Sequence, residues 1–196
     1  MSKAEKTKQF IIEKTAPIFN TKGYSGTSIN DMTTATGLTK GSIYGNFENK
    51  DEVAIASFKF NVKKLHDVLS REIEKQRTFK EKLLVYPRVY AKYPSLDVTL
   101  GGCPILNTAI ESDDTHPVLK KYAERTLLYW KEKLMYLINQ GINAGEFKAK
   151  SINVENTALT IIALIEGGMM ISKLTGSDTD LSAIMLSLNK IIDDLE

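Results

Sequence analysis

Thr27-Ser28-Ile29-Asn30-Asp31-Met32-Thr33-Thr34-Ala35-Thr36-Gly37-Leu38-Thr39-Lys40-Gly41-Ser42-Ile43-Tyr44-Gly45-Asn46-Phe47-Glu48-Asn49-Lys50-Asp51 reads as two short helices around a tight turn. Ser28 is placed to cap the first helix by accepting from an unpaired backbone N–H. Asp31, three residues on, completes a capping-box pattern, and Ile29, Met32 and Thr36 share one face. Gly37 supplies the left-handed residue that commonly stops a helix, and Leu38 follows as an apolar anchor. Thr39 is placed to cap the second helix. Ile43 and Phe47, four apart, face inward there and leave Lys40, Gly41, Ser42, Tyr44 and Asn46 to point elsewhere. At barely two turns, this helix depends on its packing.

Two short helices joined by a glycine-containing turn match the helix-turn-helix, whose second helix lies in the DNA major groove. The segment Thr39-Lys40-Gly41-Ser42-Ile43-Tyr44-Gly45-Asn46-Phe47, with Asn49-Lys50-Asp51-Glu52 behind it, closely resembles the DNA-reading segment of the tetracycline-repressor (TetR) family of bacterial regulators. Phe19-Asn20-Thr21-Lys22-Gly23-Tyr24 and then Thr27-Ser28-Ile29 resemble the end of that family's first helix and the start of its second. The resemblance covers about the first quarter of the chain. Gly45 departs from it, since that position is often bulky in the family.

Hydroxyls and an ammonium at helix ends suit phosphate, and they match the family's pattern. Thr27 or Ser28, Tyr44 and Lys50 are therefore the expected backbone contacts. Thr39, Lys40, Gly41, Ser42 and Asn46 are expected nearest the base edges. Gly41 would let backbone approach the DNA, and Lys40 would reach either guanine acceptors or phosphate alone.

Composition is that of an ordinary globular protein: 196 residues, 42% hydrophobic and 26% charged, with a net charge of +2. The charge is uneven. Residues 1–50 carry seven lysines against four acids, a net +3, while the remainder has 19 basic and 20 acidic residues. A basic excess on the helix-turn-helix end fits phosphate, although a solvated helix face reads the same way. Cys103 is the single cysteine, which excludes an intramolecular disulfide or a zinc site of cysteine spacing. The start of the chain has no apolar signal core, and no uninterrupted apolar run approaches about 18 residues, so no export signal or membrane span is expected. The expected compartment is the cytoplasm.

Helical spacing continues throughout. Residues from about Lys6 to Lys22 form a first helix in which Pro17 is expected to cause a bend. Asn49 with Glu52 opens a long helix with the stripe Ile55, Phe58, Val62, Leu65, Leu69. Thr78 or its neighbours begin another, which Pro87 is expected to bend. Pro94 to Gly102 is the clearest interior loop. Cys103 to about Ser112 forms a short helix with Ile105, Ala109 and Ile110 inward, and Pro117 to Ala144 a longer one with Leu127, Trp130, Leu134 and Leu137 as its stripe. The last two helices, around Val154–Gly168 and Leu181–Leu195, are apolar on more than one side. The alternatives are burial within their own domain or a four-helix seam with a second copy, the arrangement usual in the resembled family, with Gly167-Gly168 allowing close approach.

Catalysis finds little support. No phosphate loop, metal-spaced cluster or nucleophile elbow occurs, and His66 and His116 read as surface or capping residues. No cofactor or metal is expected. Phe58, Tyr86, Tyr90, Tyr93, Trp130, Glu166, Met169 and Met170 fall at spacings that either line an effector cavity or simply build core. Gly101-Gly102-Cys103-Pro104 puts the thiol at a helix N-terminus, where unpaired N–H groups favour thiolate. Some TetR-like repressors that sense electrophiles have a cysteine in a comparable setting, so the resemblance makes Cys103 a candidate sensor. The alternative is a small buried residue at a helix start.

The resulting expectation is an all-α chain in two parts. Residues 1–50 form a three-helix DNA-binding domain, and residues 51–196 a helical effector-binding and dimerising domain. Its expected partners are double-stranded operator DNA, a second copy of itself, and an unidentified small-molecule or electrophile effector that releases it. A helical protein-interaction module and an all-α enzyme are the competing classes.

Overall fold

A computed structural model of the chain describes residues 2–93, 96, 98–149 and 152–196. Every regular element among these residues is helical: α1 Lys3–Gly26, α2 Ile29–Thr36, α3 Lys40–Tyr44, α4 Lys50–Glu74, α5 Phe79–Ala91, α6 Pro104–Ser112, α7 Pro117–Asn143, α8 Val154–Thr175 and α9 Asp178–Asp193. Part of the loop expected at Pro94 to Gly102, namely Pro94, Ser95 and Asp97, lies outside the described residues.

The chain divides into two compact units, residues 1–65 with 98–124, and residues 66–97 with 125–196. The first unit is larger than the helix-turn-helix alone. Its core gathers Ile11 and Phe19 from α1, Met32 from α2, Ile43 from α3, Phe47 from the turn that follows, Val53 and Ala54 from α4, and Leu119 from α7. Local chemistry fixes the short elements. Ser28 accepts from Asp31 N–H while Asp31 accepts from Ser28 N–H, Gly37 stops α2 at φ 69°, and Thr39 caps α3 by accepting from Ser42 N–H at 3.2 Å. His116 caps α7, its Nδ1 accepting from Leu119 N–H at 3.1 Å.

The helical backbone of α1 breaks at Gly23 (φ 73°, ψ −179°), because only glycine takes that conformation without strain. Two expectations fail here. In α6, Ile105 is buried but Ala109 and Ile110 are exposed, Ile110 at 67%, because α6 packs on α1 through its other face. In α7, Trp130, Leu134 and Leu137 are buried as expected with Ile138, whereas Leu127 is exposed.

In the second unit α9 packs between α5 and α8 around Leu83, Tyr90, Ile161, Ile165, Leu181, Met185, Leu188 and Ile192. Gly168 is buried against α9 of its own chain, where a Cβ would lie 3.0 Å from Leu181 Cδ1, while Gly167 faces open space. Gly168 therefore serves a seam inside the chain. Opposite the buried stripe, Leu159, Met170 and Leu174 on α8 and Leu186 on α9 are 46, 47, 83 and 63% exposed. By length and composition α8 would cross a bilayer, but Glu166 interrupts it and one face is already packed on α9.

Candidate nucleic-acid interface

The buried side chain of Ile43 holds α3 against the core and turns the other side of the helix outward. Thr39, Lys40 and Gly41 are exposed and Ser42 half-buried, and a Cβ at Gly41 would meet no heavy atom nearer than 3.9 Å. The predicted base-edge group thus forms one continuous outward surface at the start of α3. Asn46 stands slightly apart, since its Nδ2 donates to Ser42 O at 2.9 Å and holds the end of the helix.

Charge is distributed in a way that favours the same surface. Lys8 is paired with Glu52 at 2.7 Å, and Lys22 with Asp31 at 2.6 Å. Lys22 and the Ser28 hydrogen bonds hold the Asp31 carboxyl well below the usual carboxylate range. Lys40 and Lys50 have no carboxylate partner among the described residues. The Lys50 ammonium lies 4.3 Å from the centre of the Tyr24 ring, a cation–π contact that brings no opposite charge to it. Tyr24 in turn donates its hydroxyl to Asp51, and that bond, together with burial, pushes the phenol up to about 12. The ring under Lys50 is therefore fixed at both ends of its polar axis, by its backbone and by Asp51.

The other predicted phosphate ligands divide. Ser28 is exposed at the start of α2, and Tyr44 is half-buried against the head core. Thr27 is fully buried, its hydroxyl donating to Gly23 O at 2.6 Å, so it pins the turn and has no surface to offer DNA. The break at Gly23 returns the chain onto itself there.

The predicted effector residues fall in both units. Phe58 and Cys103 belong to the first, both buried. In the second, Tyr86, Trp130, Tyr90 and Tyr93 form a nearly parallel stack, with ring centres 6.3, 5.9 and 5.4 Å apart in that order. The Trp130 Nε1–H is buried and has no acceptor among the described residues. Met169 is buried and Glu166 half-buried, while Met170 is exposed. Cys103 does precede the first turn of α6, but it is 1% exposed. We expect iodoacetamide to label it at least about a hundredfold more slowly in the folded protein than in denaturant, as measured by mass spectrometry. Equal rates would place the thiol at the surface.

Residues 11–56 match the family described as bacterial regulatory proteins, tetR family, and residues 80–188 match the tetracyclin repressor-like C-terminal domain. A TetR-family transcriptional regulator from Cytophaga hutchinsonii, known by crystal structure, is 46% identical. That likeness covers 100% of this chain and 98% of the other, with a TM-score of 0.95. This chain belongs to the TetR family. An uncharacterized HTH-type transcriptional regulator of Lactococcus lactis subsp. lactis is 29% identical over 86% of this chain and 84% of its own length. The HTH-type transcriptional repressor DhaR of Mycobacterium sp. (strain GP1) is 26% identical over 85% and 82%. The chain is accordingly a DNA-binding transcriptional regulator, and TetR-family membership agrees with the outward α3. Among the described residues no three of His, Cys, Asp and Glu gather in a way that would hold a metal ion.

Proposed function

We propose that this TetR-family protein acts in the cytoplasm as a homodimeric repressor. It covers a near-palindromic operator with residues 1–50 and leaves it when a small molecule binds within residues 51–196. The observation that carries this reading is the uncovered start of α3, where Thr39, Lys40, Gly41 and Ser42 face outward around an unpaired lysine. Base-edge contacts fall to those four residues, and Asn46 supports the helix end. Phosphate contacts fall to Ser28, Tyr44 and Lys50.

The exposed apolar stripe of α8 and α9 supports the dimer. A helix apolar on both sides has one face for its own chain and one for a second copy. Two-fold symmetry then sets half-site centres about 34–36 Å apart, or a small multiple of that. The stack of Tyr86, Trp130, Tyr90 and Tyr93 supports an effector site of aromatic or apolar character, for which the unpaired Trp130 Nε1–H offers one donor. An effector acts only through unequal affinity for the DNA-bound and released states. An electrophile acting on Cys103 is the weaker version, because the thiol is covered.

Fluorescence tests the effector reading directly, since Trp130 is the only tryptophan. A compound that quenches it should also lower operator affinity, and Trp130→Phe should weaken the compound's effect. Quenching without any change in operator affinity would separate the pocket from regulation. At the DNA end, Lys50→Ala should weaken operator and random duplexes alike and reduce the salt slope by about one. An unchanged slope would remove Lys50 from the interface.

A further inference from the structure

Glu111 lies near the end of α6, and its carboxylate accepts from two successive backbone N–H groups in the last turn of α1, Tyr24 at 2.7 Å and Ser25 at 2.8 Å. These donors follow Gly23, where the chain leaves helical geometry. A carboxylate gripping two successive N–H groups makes charge-assisted bonds, stronger and more directional than neutral ones. The fit is close, since a Cβ at Gly23 would lie 2.3 Å from a Glu111 carboxylate oxygen.

Further bonds hold the same end of α1. Asn107, one turn before Glu111 on α6, donates to Asn20 O at 3.0 Å and Gly101 O at 2.9 Å, and the Asn20 amide donates to Leu100 O at 2.7 Å and Gly102 O at 2.9 Å. From the clamped Ser25 the chain runs three residues to Ser28, the N-cap of α2, with Thr27 pinned to Gly23 between them. Two α6 side chains therefore hold this end of α1, Asn107 at Asn20 and Glu111 at Tyr24 and Ser25, and of these two Glu111 grips the backbone nearest the start of the helix-turn-helix.

We propose that Glu111 is a positioning residue for operator recognition: by gripping Tyr24 and Ser25 N–H from α6, it sets the placement of α2 and hence of the reading surface on α3. It touches no DNA itself. The exposed Lys8–Glu52 and Lys22–Asp31 pairs within the head do not replace it, since solvent weakens both. The role predicts a loss of discrimination between sequences with little loss of general attraction to DNA.

The test compares Glu111→Gln, which keeps the shape but offers one acceptor oxygen, with Glu111→Ala. Each is titrated against operator and random duplex at several salt concentrations. Operator affinity should fall about tenfold or more, the scale of one lost charge-assisted bond. Random-duplex affinity, salt slope and dimer state should stay as in wild type. Amide exchange at Tyr24 and Ser25 should quicken while exchange at Leu181 and Leu188 does not. Gly23→Ala should cost less in the Glu111→Ala background than alone, because the clash is then absent. Three results would overturn the proposal: operator affinity within about twofold of wild type, an equal fall for operator and random duplex, or unchanged exchange at Tyr24 and Ser25. The equal fall would mark Glu111 as a general support of the head fold.

Discussion

Replacing Leu186 by Glu should convert the dimer to a monomer and lower operator affinity by about 10²–10⁴, the factor a second linked half-site contributes through effective concentration. Leu186 is 63% exposed within its own chain, so the monomer fold loses little when it becomes charged. In a two-fold seam the same side chain is buried twice, and each copy would bring an unpaired carboxylate into apolar surroundings. Leu174→Glu, at 83% exposure on α8, should act in the same way. Sedimentation velocity reads the mass and a duplex titration reads the affinity. A Leu186→Glu protein that stays dimeric with full affinity would locate the seam elsewhere.

Phe47→Ala should abolish operator binding while leaving the dimer intact. The ring is 2% exposed in the head core, where it lies beside Ile43, and Lys8 Nζ stands 4.6 Å from its centre. Removing a buried phenylalanine costs about 3–5 kcal/mol, a large part of what a small domain has. Helix α3 is only five residues long and cannot persist without that support. Circular dichroism should show a partial loss of helix at lower temperature, with the melting of the second unit retained. Wild-type operator affinity in this variant would mean that α3 does not rest on the ring.

What the sequence disclosed was whatever short-range chemistry determines. The Ser28–Asp31 box, the Gly37 stop, the Thr39 cap and the inward pair Ile43 and Phe47 each involve residues no more than four apart, and all are found. The aromatic residues at 86, 90 and 93 were legible as falling at helical spacings, although α5 ends at Ala91, before the last of them. Their partner Trp130 joins them only through tertiary packing.

The misreadings share a cause. Thr27 resembled a surface hydroxyl at a helix start, but the break at Gly23 folds it inward. Ile110 looked like core because α6 has only nine residues, too few for periodicity to say which face α1 covers. Gly168 was readable as a close-approach position, though not whether its neighbour was α9 or another copy. Glu111 left no signal at all. Its ligands are backbone N–H groups 86 and 87 residues away, and no side-chain pattern marks them.

Selection of bound duplexes from a random pool, at two salt concentrations, tests the central claim most directly. The outward α3 and the proposed dimer together predict a near-palindromic site with half-sites about one helical turn apart, or a small multiple of that, and binding that weakens steeply with salt. Recovery of no preferred sequence, or of a single asymmetric half-site bound by one protomer, would contradict the account.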